Sequence, residues 1–413
     1  MFRWFDCSAQ AAFTALWAFA TCSALLGQEP VAKRALELHR SALVFDGHND
    51  LPWQIRARGR FDLGRYDISQ RLAFGHTDKP RLREGGVKAQ FWSVFVPSSY
   101  AEEHRALHAT LEQIDIVYRM VRRYRNDFEL AYRAAEVERI VRSGKIACLI
   151  GIEGGHSIEE SLAVLRMLYQ LGARYMTLTH SRSLKWADSA TDEPRCGGLS
   201  SFGRAVVLEM NRLGMLVDIS HVSADTMRAV LAVTKAPVIA SHSSAYAIAP
   251  HPRNVPDDVL KLIRDNGGVV LVNFYSNFIQ PEAARNSVAR TEYRQRLQAD
   301  GISADQVRKL LRDWDRTHLR PRATLDDLLD HIDHIVRVAG IDHVGLGSDF
   351  DGIDRPPIGL EDVSCYPRIT AGLLKRGYSP EQIRKILGAN LLRTLRAAES
   401  VAAQLQSNRP DTA

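Results

Sequence analysis

Cysteine is scarce in this chain. Five residues, Cys7, Cys22, Cys148, Cys196 and Cys365, are scattered over 413 positions with no CxxC pair. That pattern excludes a disulfide framework, and Cys148, inside an apolar run, reads as core. Dense basic runs interleaved with aromatics are also missing, despite a formal net charge of +6; nucleic acid is therefore not an expected partner. Neither Gly154-Gly155 nor Gly197-Gly198 opens a dinucleotide fingerprint, so no phosphate loop is expected. No clear linker divides the chain. One apolar stretch stands out, Ala11–Gly27, after Arg3 and before Gln28-Glu-Pro30. It is short for a membrane span, which needs ~20 residues. It resembles the hydrophobic part of a secretory signal, with an uncleaved N-terminal anchor as the rival and no clean cleavage site at Cys22-Ser-Ala24 or Gly27. Residues 1–27 are therefore read as signal or anchor, 28–400 as one domain and 401–413 as a polar tail without a lipid-anchor signal. The protein is expected to be exported, either periplasmic or secreted, or held at a membrane through its N-terminus.

What the chain does have is alternation. The composition, 45% hydrophobic and 25% charged, is enough for a large core. Short apolar runs predict strands at Leu43–His48, Val87–Phe95, Ile146–Ile152, Tyr175–Thr179, Met215–Ser220, Pro237–Ser241, Val269–Phe274 and His343–Gly347. Amphipathic helical patterns separate most of them. Ser157-Ile-Glu-Glu160 fits a capping box before a helix over Ser161–Leu171, and Ser379-Pro-Glu-Gln382 fits another with proline at the first helical position. Eight strand–helix repeats predict an α/β fold of the TIM-like (β/α)8 barrel type, a doubly wound open sheet being the rival. A long helical insertion, about residues 280–323, follows strand 7, on the face where such barrels keep their sites. It reads equally as a lid, a partner surface or decoration.

The strand ends carry the chemistry. His48 and Asp50 lie two apart at the end of the first strand, so both can aim at one point. The third strand ends at Glu153, the fourth at His180, the fifth at His221, the sixth at His242 and the eighth at Asp349. Barrel enzymes draw catalytic groups from several strand ends. Imidazoles and carboxylates without thiolates suit zinc, and also manganese, iron or cobalt. His48, Asp50, Glu153, His221 and His242 exceed the three protein ligands of a mononuclear catalytic zinc. The surplus suits two metals ~3.5–4 Å apart sharing a hydroxide. On spacing alone, a single metal with the remaining groups in supporting or acid/base roles stays open.

With these motifs the chain resembles the membrane dipeptidase (renal dipeptidase) family of zinc peptidases. The resemblance rests on Asp46-Gly-His-Asn-Asp50, Gly151-Ile-Glu-Gly-Gly-His156, Leu178-Thr-His-Ser181, Val217-Asp-Ile-Ser-His-Val-Ser223, Ser241-His-Ser-Ser-Ala-Tyr246, Arg253-Asn-Val-Pro-Asp-Asp258 and Gly347-Ser-Asp-Phe-Asp-Gly352. These occur in family order from about Val44 to Leu395. The resemblance implies two zinc ions, with another divalent metal open. His48 and Asp50 would hold one, His221 and His242 the other, and Glu153 would bridge them. It implies that Asp349 is the acid/base carboxylate, that His180 steadies the oxyanion and that Arg253 reads the substrate's terminal carboxylate. The implied activity is hydrolysis of dipeptides, including those with a C-terminal D-residue, through a metal-bridging hydroxide. The expected partner is a small dipeptide, with a homodimer left open.

The chain departs from the family pattern in two places. Phe278 stands where family members often carry a tyrosine that lines the substrate pocket, which puts side-chain preference in question. The insertion also exceeds the compact family pattern. Trp186 and Asp188 are candidates for the pocket rim, and Asp46 and Asp351 for supporting carboxylates. His156 reads as structural, and His331 and His334 read as residues of a surface or packed helix. Rival functions are a barrel metallohydrolase acting on another amide, lactone or ester, and a non-catalytic binding barrel. Arg253, which anticipates a carboxylate, discriminates the first; an intact ligand set opposes the second.

Overall fold

The computed structural model describes residues 33–408; the expected signal or anchor segment lies outside them. Nine parallel strands form one sheet: β1 (Val44–Asn49), β2 (Val87–Phe95), β3 (Phe128–Leu130), β4 (Ile146–Glu153), β5 (Ala173–Thr177), β6 (Leu216–Asp218), β7 (Ile239–Ala240), β8 (Val269–Val272) and β9 (Val344–Leu346). Eight of them close a ring, in the order β1-β2-β4-β5-β6-β7-β8-β9 and back to β1 through Asp46 opposite Leu346. All eight expected strands are present, and the fold is a (β/α)8 barrel. β3 was not expected. It pairs with the start of β4, Ile146 to Cys148, while β5 takes over from Ile150 onward. It is a graft on the barrel's outside rather than a stave.

Strand alternation sorts the core. Phe45, Phe91, Leu149, Tyr175, Leu216 and Leu271 belong to one buried cluster. Their chain neighbours, such as Val44, Trp92, Cys148 and Ile150, join a larger cluster with the surrounding helices. This is the inside/outside division of a parallel barrel. Leu391 and Leu395 of the last helix, Asn390–Ser407, belong to the inner cluster. That helix runs on through 401–407 with Ala402 buried, so the folded part extends past the expected boundary at 400.

Helix starts follow capping chemistry, with one shift. Ser379 and Gln382 form the expected capping box. The helix Leu162–Gln170 is capped by Ser161, whose side chain accepts from the Val164 amide, and not by Ser157, which falls in a short 3-10 turn. Two consecutive left-handed residues, Glu159 and Glu160, separate that turn from the helix.

The insertion follows β8, the seventh barrel strand, as expected. Its helices are Pro281–Ala299 and Ala304–Thr317, joined by the Arg290–Asp315 pair at 2.7 and 3.1 Å. Asn286 donates to the Leu319 carbonyl at 2.6 Å. The next helix, Leu325–Ala339, carries the two histidines at i, i+3 spacing, and they serve packing. His331 is fully buried, with Nδ1 3.0 Å from the Ala245 amide and Nε2 3.0 Å from the Ile279 carbonyl. His334 pairs with Asp257 at 2.7 Å.

Burial lowers the His331 pKa to about 4, whereas an unfolded histidine titrates near ~6.5. Between those values the unfolded chain binds the extra proton. The stability contributed by neutral His331 is therefore complete above about pH 6.5 and is lost as pH falls toward 4. Denaturant titrations from pH 7 to 4 should show this loss, up to about 3 kcal/mol. His331→Gln should be less stable at pH 7 and should lose less stability on acidification; an unchanged acid slope would contradict the assignment.

Candidate metal centre

Because all ring strands are parallel, their C-terminal ends share one rim, and the expected side chains meet there. Asp50 precedes the helix Leu51–Ala57 but makes no side-chain cap to it, and its Oδ1 is buried without a hydrogen-bond partner. His48 is fully buried. Its Nδ1 lies 2.9 Å from the Tyr175 hydroxyl, which fixes the ring and turns Nε2 inward. That Nε2 is 3.3 Å from Asp50 Oδ2 and 3.5 Å from Glu153 Oε2, and it makes no hydrogen bond. The other oxygen of Glu153 faces different partners. Oε1 is 3.0 Å from His221 Nε2, 3.4 Å from His242 Nε2 and 3.7 Å from His180 Nε2. The Nε2 atoms of His221 and His242 are 2.8 Å apart. Three sets of donor atoms are each close enough for a common ion: His48, Glu153 and His242; Glu153, His180 and His221; and His48, Asp50 and Asp349.

The surroundings hold these donors in place. Asp218 is fully buried and accepts from Thr177, from Ser241 Oγ at 2.6 Å, and from the Ser220 and Ser241 amides. Ser241 Oγ in turn lies 2.8 Å from His242 Nδ1. Asp46, expected as a supporting carboxylate, accepts from Ser348 Oγ at 2.6 Å and from the Ser348 amide at 2.9 Å, tying β1 to the loop after β9. Asp351 accepts from the His76 amide at 2.7 Å. His156 Nε2 sits 2.9 Å from the Val96 carbonyl, a structural contact. His221, Asp349 and Asp351 all have left-handed backbones, with φ of 65°, 62° and 67°. Three such residues at one rim are typical of strain held at a functional site.

Among the protein's own charges, burial dominates and the neighbours then sort the groups. Burial lowers His221 and His242 well below the usual imidazole value and lowers His180 to about 4. These rings are neutral, as ligands must be. Burial acts to raise Glu153, but His48, His221 and His242 outweigh it and hold the carboxyl well below its normal range. Asp349 goes the other way. Burial, with Asp50 and Glu153 adding to it, raises its pKa to about 8 against the pull of His48. Its Oδ2 accepts from Asn273 Nδ2 at 2.9 Å.

Arg253 is 2% exposed. Burial lowers its pKa to about 10, so it stays charged. It makes only long contacts, 3.4 Å to Ser243 Oγ and 3.4 Å to the His242 carbonyl, and its Nε has no partner. No carboxylate lies within 4.0 Å of it among the described residues. Its guanidinium carbon is 5.3 Å from the Phe278 ring centroid. Arg253, Phe278, His180, His221, Glu153, Asp50 and Asp349 line one cavity of about 340 Å³.

Trp186 and Asp188 do not belong to that cavity. Trp186 is buried beside Gly155 and Phe202, and Asp188 accepts from the Arg195, Cys196 and Gly198 amides to shape its own loop. Residues not singled out in the sequence complete the site: Tyr175 behind His48, Asn273 behind Asp349, and Trp53, Phe95 and Tyr275 on the cavity wall. Tyr275 returns an aromatic hydroxyl close to Phe278, their rings 4.9 Å apart. The one available signal for it was its place just beyond the seventh strand.

A barrel whose strand ends gather imidazoles and carboxylates around one cavity defines a metallohydrolase. More particularly, the chain belongs to the membrane dipeptidase family, peptidase family M19, whose model matches residues 32–409. It is a metallo-dipeptidase, a hydrolase of peptide bonds. The probable dipeptidase PvdM from Pseudomonas aeruginosa is 27% identical, with a TM-score of 0.80 over 91% of this chain and 100% of that one. A metallopeptidase from Rhodobacter sphaeroides, liganded with a phosphinate mimic of the dipeptide L-Ala-D-Ala, is 26% identical, with a TM-score of 0.71 over 86% and 99%. The dipeptidase AC, an M19 metallopeptidase, is 27% identical, with a TM-score of 0.71 over 87% and 99%. No helix among the described residues is long and apolar enough to cross a membrane.

Gly352 gives a direct check on this packing. A Cβ there would lie 2.2 Å from Asp50 Oδ2 and 2.6 Å from Asp349 Oδ1. Gly352→Ala should displace both carboxylates and lower kcat/KM about 100-fold, with the thermal midpoint little changed. Wild-type kinetics in that variant would show that the two carboxylates need not stay where they are.

Proposed function

We propose that this protein is a dinuclear zinc dipeptidase that cleaves short, unblocked dipeptides, including those with a C-terminal D-residue. The observation that carries the reading is the split environment of Glu153, with Oε2 toward His48 and Oε1 toward His221 and His242. A carboxylate so placed can bridge two cations. The orphaned buried atoms, His48 Nε2 and Asp50 Oδ1, fit the same purpose, because buried polar atoms need partners. His48 and Asp50 would hold one zinc, His221 and His242 the other. When bound, the metals polarise the scissile carbonyl and lower the pKa of the attacking water.

The chain's own residues supply the rest. Arg253 receives the substrate's terminal carboxylate, a planar partner for a guanidinium that lacks one, and Phe278 packs beside it. His180, neutral and at the cavity wall, donates to the oxygen that gains charge as the carbonyl is attacked. Asp349 takes the proton from the water and returns it to the departing amine. The L-Ala-D-Ala mimic bound by the Rhodobacter sphaeroides relative supports the substrate class. We also retain export as the destination, through the apolar segment Ala11–Gly27.

Turnover of a dipeptide panel should vanish on chelation and return with zinc. Arg253→Ala should lower kcat/KM for Ala-D-Ala by about 100-fold, in line with the ~2–5 kcal/mol of a truncated buried charge pair. It should change the much slower hydrolysis of the corresponding dipeptide amide very little. Equal losses on both substrates, or cleavage that survives chelation, would overturn the reading.

A further inference from the structure

A second cavity, of about 580 Å³, adjoins the metal pocket and shares Phe95 and His180 with it. Its far wall belongs to the insertion, through Arg294, Gln295 and Gln298 of the helix Pro281–Ala299. The helix is held in place by the Arg290–Asp315 pair and the Asn286 contact to the chain beyond the second helix.

The charges of this chamber are unbalanced. Three arginines line it, Arg182, Arg195 and Arg294, against one acid, Asp192. Arg182 is paired with Glu102. Asp192 accepts from the Ser183 amide at 2.8 Å. Arg195 and Arg294 have no acidic partner within 4.0 Å among the described residues. Arg195 also borders a neighbouring cavity that holds Glu102, Glu159 and Glu160, but Glu102 pairs with Arg182, Glu160 pairs with Lys185 and Glu159 accepts from the Leu107 amide. Serines, a threonine and glutamines supply most of the remaining lining.

We infer that this chamber is a subsite for an anionic side chain on the amino-terminal residue of the substrate, read by Arg195 and Arg294. The inference rests on the dipeptidase reading above. Arg253 lines the metal pocket but not the chamber, while His180 lines both. A dipeptide with its carboxylate on Arg253 and its carbonyl beside His180 therefore directs its amino-terminal residue toward the chamber. Two unpaired guanidiniums and neutral polar walls suit a carboxylate, which guanidinium groups bind through charge-assisted hydrogen bonds. The volume admits a long or branched acidic side chain.

The test compares substrates that differ only in charge. Wild-type kcat/KM should favour Glu-Ala over its neutral isostere Gln-Ala by on the order of tenfold, and added salt should shrink the ratio. In Arg195→Gln/Arg294→Gln the ratio should fall to about one, whereas Arg195→Lys/Arg294→Lys should keep part of it. General damage to the fold would lower both substrates together and leave the ratio intact. Calorimetry with the phosphinate mimics of Glu-Ala and Gln-Ala gives the same ratio without turnover. If no dipeptide is cleaved, the catalytic reading fails while this comparison still decides the subsite. Equal binding of the two mimics by the wild-type protein, or a preference that survives in the double glutamine variant, would overturn the inference.

Discussion

Glu153 is the group on which the site depends. A buried carboxylate is costly unless it is matched by positive charge or hydrogen bonds, and this one has an imidazole against one oxygen and three against the other. It also accepts from Ser93 Oγ at 3.1 Å. The imidazoles themselves are pressed together, His221 and His242 at 2.8 Å and the rings of His48 and His242 with centroids 3.9 Å apart. Such crowding of electron-rich nitrogens has a physical purpose if cations lie between them. Without cations it would cost stability at the centre of the barrel.

The barrel makes the crowding affordable by assigning a separate anchor to each group. Tyr175 orients His48, Asp218 reaches His242 through Ser241, and Asp46 ties the loop after β9 to the first strand. Asp218 and Asp46 reach to neighbouring strands of the ring, while Tyr175 on β5 reaches His48 on β1 across the barrel interior, so any register slip would break several at once. Glu153 and Tyr175 extend the inward face of their strands, whose lower positions, Ala147 and Leu149 among them, are the apolar inner cluster. Packing below therefore sets the position of chemistry above.

Much of this was readable from the sequence, for a definite reason. The eight staves are apolar runs bounded by breakers, and the candidate ligand side chains sit at their ends, where periodicity marks a place even without coordinates. β3 escaped because Phe128-Glu-Leu130 is three residues long and pairs on the barrel's outside. Tyr175 was seen as a strand residue but not as the partner of His48, since the two are 127 positions apart. Trp186 and Asp188, which follow His180, read either as rim residues or, for the indole, as packing; the loop turns inward, so the indole packs and the carboxylate serves its own amides. The left-handed backbones of Asp349 and Asp351 leave only a weak trace in residue type, because aspartate tolerates that region without requiring it as glycine-rich turns do. The insertion was visible as length and helical pattern, but only its placement shows that it walls a basic chamber.

The central claim is that Glu153 stands between two metals. Anomalous diffraction at the zinc absorption edge, from crystals of zinc-reconstituted protein, addresses it in one experiment. The account requires two peaks about 3.5–4 Å apart, one beside His48 and Asp50, the other beside His221 and His242, with Glu153 between them. A single peak at full occupancy, or two peaks with Glu153 bound to neither, would contradict it.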